Sequence, residues 1–165
     1  MSSCAERARG QSRTGGFVGV AGEHFVAAEL ARRGFLVTLT RGNAPGVDVL
    51  AYRPGTRRTV ALQVKATVRL GGWIMTPKDE GEPRSDAFVF VFLPEHGPPE
   101  YSVVPSREVA ETIRVGFKKY LETPGKNGRR HDPENRVRYF NREEGEKWRG
   151  RWDVITSLAE VDAAT

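Results

Sequence analysis

The run Phe88-Val-Phe-Val-Phe-Leu93 constrains the fold more than any other stretch of this sequence. A strand with one wet face alternates apolar and polar residues, whereas a strand that is apolar at every position is covered above and below. The chain must therefore supply cover for both faces of a sheet. Val18 to Arg33 is rich in Ala, Leu and Glu, and Gly34 stands where a left-handed residue would end a helix. Arg107 to Leu121 carries Val109, Ile113, Phe117, Tyr120 and Leu121 at helical spacing, with Ser106 as the expected N-cap. A terminal helix is expected from Trp152 to Leu158, where Trp148 and Trp152 are read as core packing.

The strands are legible around these helices. Phe35 to Leu39 is one. Val47 to Tyr52 and Thr59 to Thr67 read as a hairpin, with Pro54-Gly55 as a tight turn between them. In the second of the pair, Val60, Leu62 and Val64 alternate with Ala61, Gln63 and Lys65, so one face suits a packed helix and the other is polar. Further strands are expected at Trp73 to Met75, Tyr101 to Val104 and Val137 to Phe140, with an exposed loop over 123–136. The order describes an α/β or α+β sheet protein. At about 150 residues per domain, 165 residues make one domain, taken as 17–165 after a flexible basic tail at 1–16 that is rich in Ser, Arg and Gly.

Composition removes several classes. No apolar run approaches the ~18 residues of a membrane span, and the N-terminus lacks the apolar core of a signal peptide, so a cytoplasmic protein with no membrane partner is expected. Cys4 is the single cysteine, which excludes an intramolecular disulfide and a zinc site built on several thiolates. His24, His96 and His131 have no ligand-like spacing, and Gly15 to Gly22 lacks the Gly-Lys-Ser/Thr of a phosphate loop. Twenty-six basic against 21 acidic residues give a net charge of +5 and a pI near 9.7, compatible with a nucleic-acid partner and equally with solubility.

Four polar residues stand where the local pattern asks for something else. Glu23 shares a helix face with Val26, Ala27 and Leu30. It is either a wet carboxylate near a helix start or one that has a partner or a metal. Asp48 lies in a strand, where aspartate is depleted; it either bonds the preceding loop or serves a site. Gln63 and Lys65 point to one side of the third strand, as a solvated face or as a cleft wall. Asp48 can face that cleft through the hairpin, with Glu23 reaching it from the helix. Two carboxylates, an amide oxygen and a backbone carbonyl make a hard-oxygen cage suited to Mg²⁺ or Mn²⁺.

Taken together, Glu23, Pro45-Gly-Val-Asp48 and Gln63-Val-Lys65 resemble the signature of the PD-(D/E)XK nuclease superfamily. Arg33-Gly-Phe35 and Gln63-Val-Lys65-Ala-Thr67 look like its small Holliday-junction-resolvase branch and related uncharacterised members. The resemblance implies a restriction-endonuclease-like α/β fold, a mixed central β-sheet flanked by helices. It implies a Mg-dependent endonuclease hydrolysing phosphodiester bonds of nucleic acid, with DNA as the expected substrate and a homodimer as a plausible state. Asp48, Glu23, Gln63 and the carbonyl of Val64 would hold the metal, and Lys65 would orient or deprotonate water or stabilise the phosphorus centre. Two departures stand out: Val47 precedes the aspartate, and Gln63 replaces the usual Glu, keeping a carbonyl oxygen but no charge.

Arg41 and Asn43, in the loop leading to Asp48, are placed to meet phosphates. Lys118, Lys119, Arg129 and Arg130 begin a basic stretch that extends to Arg151, with Asp132, Glu134, Glu143, Glu144 and Glu146 interspersed. The stretch is either a phosphate-contacting patch or a solvated surface. Two alternatives to the nuclease follow: a catalytically inactive nucleic-acid-binding module with a nuclease fold, and a structural partner in a larger assembly.

Overall fold

The computed structural model describes residues 4–40 and 45–161. In chain order the elements are α1 (Cys4–Ala31), β1 (Leu36–Leu39), β2 (Val49–Tyr52), β3 (Thr59–Thr67), β4 (Gly72–Met75), β5 (Ala87–Phe92), β6 (Glu100–Pro105), α2 (Ser106–Glu122), β7 (Arg138–Asn141), α3 (Arg142–Glu146) and α4 (Asp153–Glu160). A 3₁₀ turn at Pro77–Glu80 lies between β4 and β5. Five strands form a sheet in the order β1-β2-β3-β5-β6; β3 and β5 are parallel and every other neighbouring pair is antiparallel. β4 and β7 pair separately, antiparallel. This is a mixed α/β fold, a central mixed sheet flanked by helices in a single domain.

β5 is buried at all six positions, because its side chains feed two cores in alternation. Ala87, Val89 and Val91 join Val60, Leu62 and Val64 of β3 beneath Val26 and Leu30 of α1 and Val154, Ile155 and Ala159 of α4. Phe88, Phe90 and Phe92 point the other way, to Val109 and Ile113 of α2 and to Trp73, Met75 and Phe140 of the β4–β7 pair. Phe90 and Phe140 stack with ring centroids 4.3 Å apart. Each large apolar side chain so buried contributes about 1.5–3 kcal/mol. Trp152 is buried in the first core, edge-on to Tyr101.

α1 ends as its sequence predicts. Gly34 has φ +85°, its N–H donates to the Ala31 carbonyl, and the Phe35 N–H reaches back to the Leu30 carbonyl at 3.1 Å, the Schellman pairing. Its start differs from the expectation. The helix begins at Cys4, so residues 4–16, read as a tail, lie within it, and residues 1–3 are outside the described residues. Ala, Arg, Glu and Gln in that stretch are good helix formers with no proline to interrupt them.

A further reading is corrected. Ser106 is the first residue of α2 rather than its cap, which is Pro105; Ser106 is buried, with its hydroxyl 3.1 Å from that of Ser85. Helix α3 goes beyond the elements the sequence predicts. Its Asn141 N–H donates to the Glu144 carboxylate at 2.6 Å, half of a capping box that closes the turn directly after β7. Among the described residues, no helix is long and apolar enough to cross a membrane.

Candidate functional site

Asp48 stands one residue before β2, where that strand parts from β3. The β2–β3 register stops at Val49 opposite Leu62. The Asp48 N–H still donates to the Leu62 carbonyl at 2.8 Å, and its own carbonyl accepts the Thr40 N–H at 2.9 Å. Beyond this the side chain takes over from the backbone: Asp48 Oδ2 accepts the Val64 N–H at 2.7 Å. The carboxylate is thus seated on β3 between Gln63 and Lys65, half-buried.

The direction of the neighbouring carbonyl follows from strand parity. In a strand, the N–H and C=O of one residue point to the same side, and successive residues alternate. Ala61 and Thr67 direct their groups to the β5 side, bonding Asp86 and Leu93. Leu62 and Val64 direct theirs to the β2 side. The Val64 carbonyl therefore points to the side on which Asp48 sits, past the last registered residue of β2.

Glu23 arrives from the other layer. A Cβ on Gly22 would stand 2.5 Å from the Cβ of Ala66, so only glycine there lets α1 lie this close to β3. The next residue, Glu23, is half-buried. Its pKa is raised from the ordinary 4.5, first by burial and then by the negative charge of Asp48, with His24 opposing. The Asp48 charge thus reaches Glu23. Among the described residues, no Lys or Arg forms an ion pair with either.

Gln63 and Lys65 project from the face opposite α1, where they line a cleft of about 240 Å³ with Pro45 and Gly46. Glu23 and Asp48 do not line it. The arrangement is an edge: Glu23 from above the sheet, Gln63 and Lys65 from below, Asp48 and the Val64 carbonyl between them. No three His, Cys, Asp or Glu side chains cluster among the described residues. Any cation here would be held by two carboxylates completed by neutral oxygens, a donor set that is all oxygen and suits a hard ion.

The other expected contacts lie elsewhere. Arg41 and Asn43 are outside the described residues. Lys118 and Lys119 are exposed near the end of α2, Lys118 with Glu122 at 4.0 Å. Arg129 and Arg130 line an open hollow with Gly125, Lys126 and His131. Tyr120 stacks on His131 at 3.8 Å and holds that loop against α2. Sequence reasoning missed Lys78 and Arg84, which share the cleft with Lys65; the prolines and glycine around them, Pro77, Gly81 and Pro83, signal only a break between strands.

No family model matches the chain, and no curated protein matches it either. Among solved structures it is similar to Hjc of Archaeoglobus fulgidus, a Holliday junction resolvase from an archaeal hyperthermophile. Identity is 11%, over 77% of this chain and 86% of that one, with a TM-score of 0.44.

Proposed function

We propose that this chain is a metal-dependent nuclease that hydrolyses phosphodiester bonds of nucleic acid, with DNA as the substrate and Mg²⁺ or Mn²⁺ as the ion. The observation that carries the reading is the Asp48 carboxylate, seated on the β3 backbone between Gln63 and Lys65 and facing the charge of Glu23 rather than a cation. The negative charge of Asp48 disfavours ionisation of Glu23 in the free protein, and a divalent cation would offset that.

Asp48, Glu23, the Gln63 amide oxygen and the Val64 carbonyl are the residues that would hold the ion. When bound, such an ion lowers the pKa of a coordinated water and neutralises charge developing on a phosphate. The chain's own groups do the rest. Lys65, on the same face as Gln63, places an ammonium beside the reacting phosphate, where it can orient water or stabilise the added negative charge. The Val64 N–H fixes the orientation of Asp48 by donating to one of its oxygens, and the other has no hydrogen-bond partner among the described residues.

A second reading, a nucleic-acid-binding module without catalysis, is favoured by Gln63, which brings no charge to a set holding only two carboxylates. The two separate in one experiment. Purified protein with Mg²⁺ or Mn²⁺ is incubated with plasmid, linear and branched DNA. The nuclease reading expects cleavage that EDTA stops and that Asp48→Asn and Lys65→Ala abolish. Cleavage surviving in purified Asp48→Asn protein would contradict it, and DNA binding without cleavage by the unaltered protein would leave the module.

A further inference from the structure

We infer that the cleft beneath Lys65 is a seat for a second backbone phosphate of the nucleic acid, next to the one cleaved, and that Lys78 and Arg84 are its positioning residues. The inference rests on the nuclease reading for where the scissile bond lies, but its physical basis is separate. At about 240 Å³ the cleft falls below the ~300 Å³ at which pockets begin to enclose a drug-sized molecule. A phosphate with its sugar fits that scale better than stacked bases.

Three cations line it: Lys65 on β3, Lys78 on the 3₁₀ turn and Arg84 just ahead of β5. None forms an ion pair among the described residues, whereas nine other arginines, including Arg58, Arg138 and Arg142, do. The acids nearby are mostly committed. Asp79 accepts both the N–H and the hydroxyl of Thr76, at 2.7 and 2.9 Å. Glu80 pairs with the buried Arg138. Glu82 is the remaining carboxylate on the cleft wall, and it is exposed.

The position of Arg84 is built. Gly46 has φ +81°, and a Cβ there would meet the Arg84 Cβ at 3.0 Å. Glycine lets the stem of Arg84 lie across the Pro45-Gly46 turn, two residues from Asp48. The root of that side chain thus lies on the same turn that leads to Asp48. Its planar guanidinium fork can hold two oxygens of one phosphate, while Lys78, which lines the same cleft, serves as a point charge.

The test is equilibrium binding without metal. Fluorescence anisotropy of a labelled 20-mer duplex in EDTA is measured against salt for the unaltered chain, for Lys78→Ala/Arg84→Ala and for Lys78→Arg/Arg84→Lys. On duplex DNA, the slope of log K against log salt flattens by about 0.9 for each phosphate that the protein no longer neutralises. The alanine pair empties one phosphate seat, so it should flatten the slope by about 0.9 and weaken binding at low salt at least tenfold, while the charge-retaining pair keeps most of the slope. An unchanged slope in the alanine pair, with an intact circular dichroism spectrum, overturns the proposal; so does a parent chain that binds no duplex. The nuclease reading is judged apart from this by EDTA-sensitive cleavage in the parent and its loss in Asp48→Asn.

Discussion

Two aspartates flank β3, and they are built alike. Asp48 stands one residue before β2, and Asp86 stands one residue before β5. Each lends a side-chain oxygen to a β3 N–H where the neighbouring strand has not yet begun: Asp48 to Val64 at 2.7 Å, Asp86 to Ala61 at 2.8 Å. Their charges are treated in opposite ways. Asp86 is neutralised by Arg58, and its N–H and C=O are also bonded, to Ala61 and Ser106. Asp48 is set against Glu23. A carboxylate with a paired charge and satisfied bonds holds the fold together; one held beside a like charge at an open edge is poised for a cation. The same local device therefore meets two charge environments, a cation at Asp86 and a carboxylate at Asp48.

The comparison breaks most visibly in activity. Asp48→Asn keeps an oxygen for the Val64 N–H and removes the charge, so cleavage should fall by at least about 10²-fold with the melting temperature little changed. Asp86→Ala should do the reverse. It strands the Ala61 N–H and the Arg58 guanidinium, which costs about 2 kcal/mol, read as a melting temperature about 4–8 °C lower for a chain of this size. Equal melting losses in the two variants would mean that both aspartates are structural.

A smaller effect sharpens the charge argument. Gln63→Glu adds a third carboxylate to the edge and should tighten Mn²⁺ binding by about tenfold, since affinity follows ligand charge; calorimetric titration measures it. Smaller still is the pH response of the metal-free protein. Because Glu23 titrates above its ordinary 4.5 in the folded chain, the folded state holds a proton that the unfolded state has released. Its contribution to stability is therefore present at low pH and lost as pH rises from about 4.5 through the raised value. Thermal denaturation against pH should show that decline in the parent chain and not in Glu23→Gln. Asp48→Asn should narrow it without removing it, because burial is the larger cause.

Much of this frame is legible in the residues. The all-apolar run gives β5, the Val60, Leu62 and Val64 alternation gives β3 with its ends unchanged, and Gly34 gives the end of α1. What escapes is what depends on distant partners. β4 and β7 pair across a long separation, and nothing local in Trp73 or Phe140 names the other. Ser106 looks like a cap until Ser85, from the loop before β5, meets its hydroxyl. At the site, Gln63 and Lys65 are visible as polar residues of a strand, whereas Asp48, expected inside one, stands one residue before β2. That Asp48 lies on the β3 backbone, and that Lys78 and Arg84 share a cleft with Lys65, depends on the register of β2 and on a turn the sequence marks only as irregular.

The central claim is that Asp48 and Glu23, completed by the Gln63 amide and the Val64 carbonyl, bind one divalent cation at the open edge of β3. Titration of the purified chain with Mn²⁺, followed by calorimetry and by the loss of the free-ion electron paramagnetic resonance signal, tests it directly. The account predicts one site per chain in the parent protein and none in Asp48→Asn, at the same fold content by circular dichroism. Equal Mn²⁺ uptake by both proteins, or none by the parent, contradicts it.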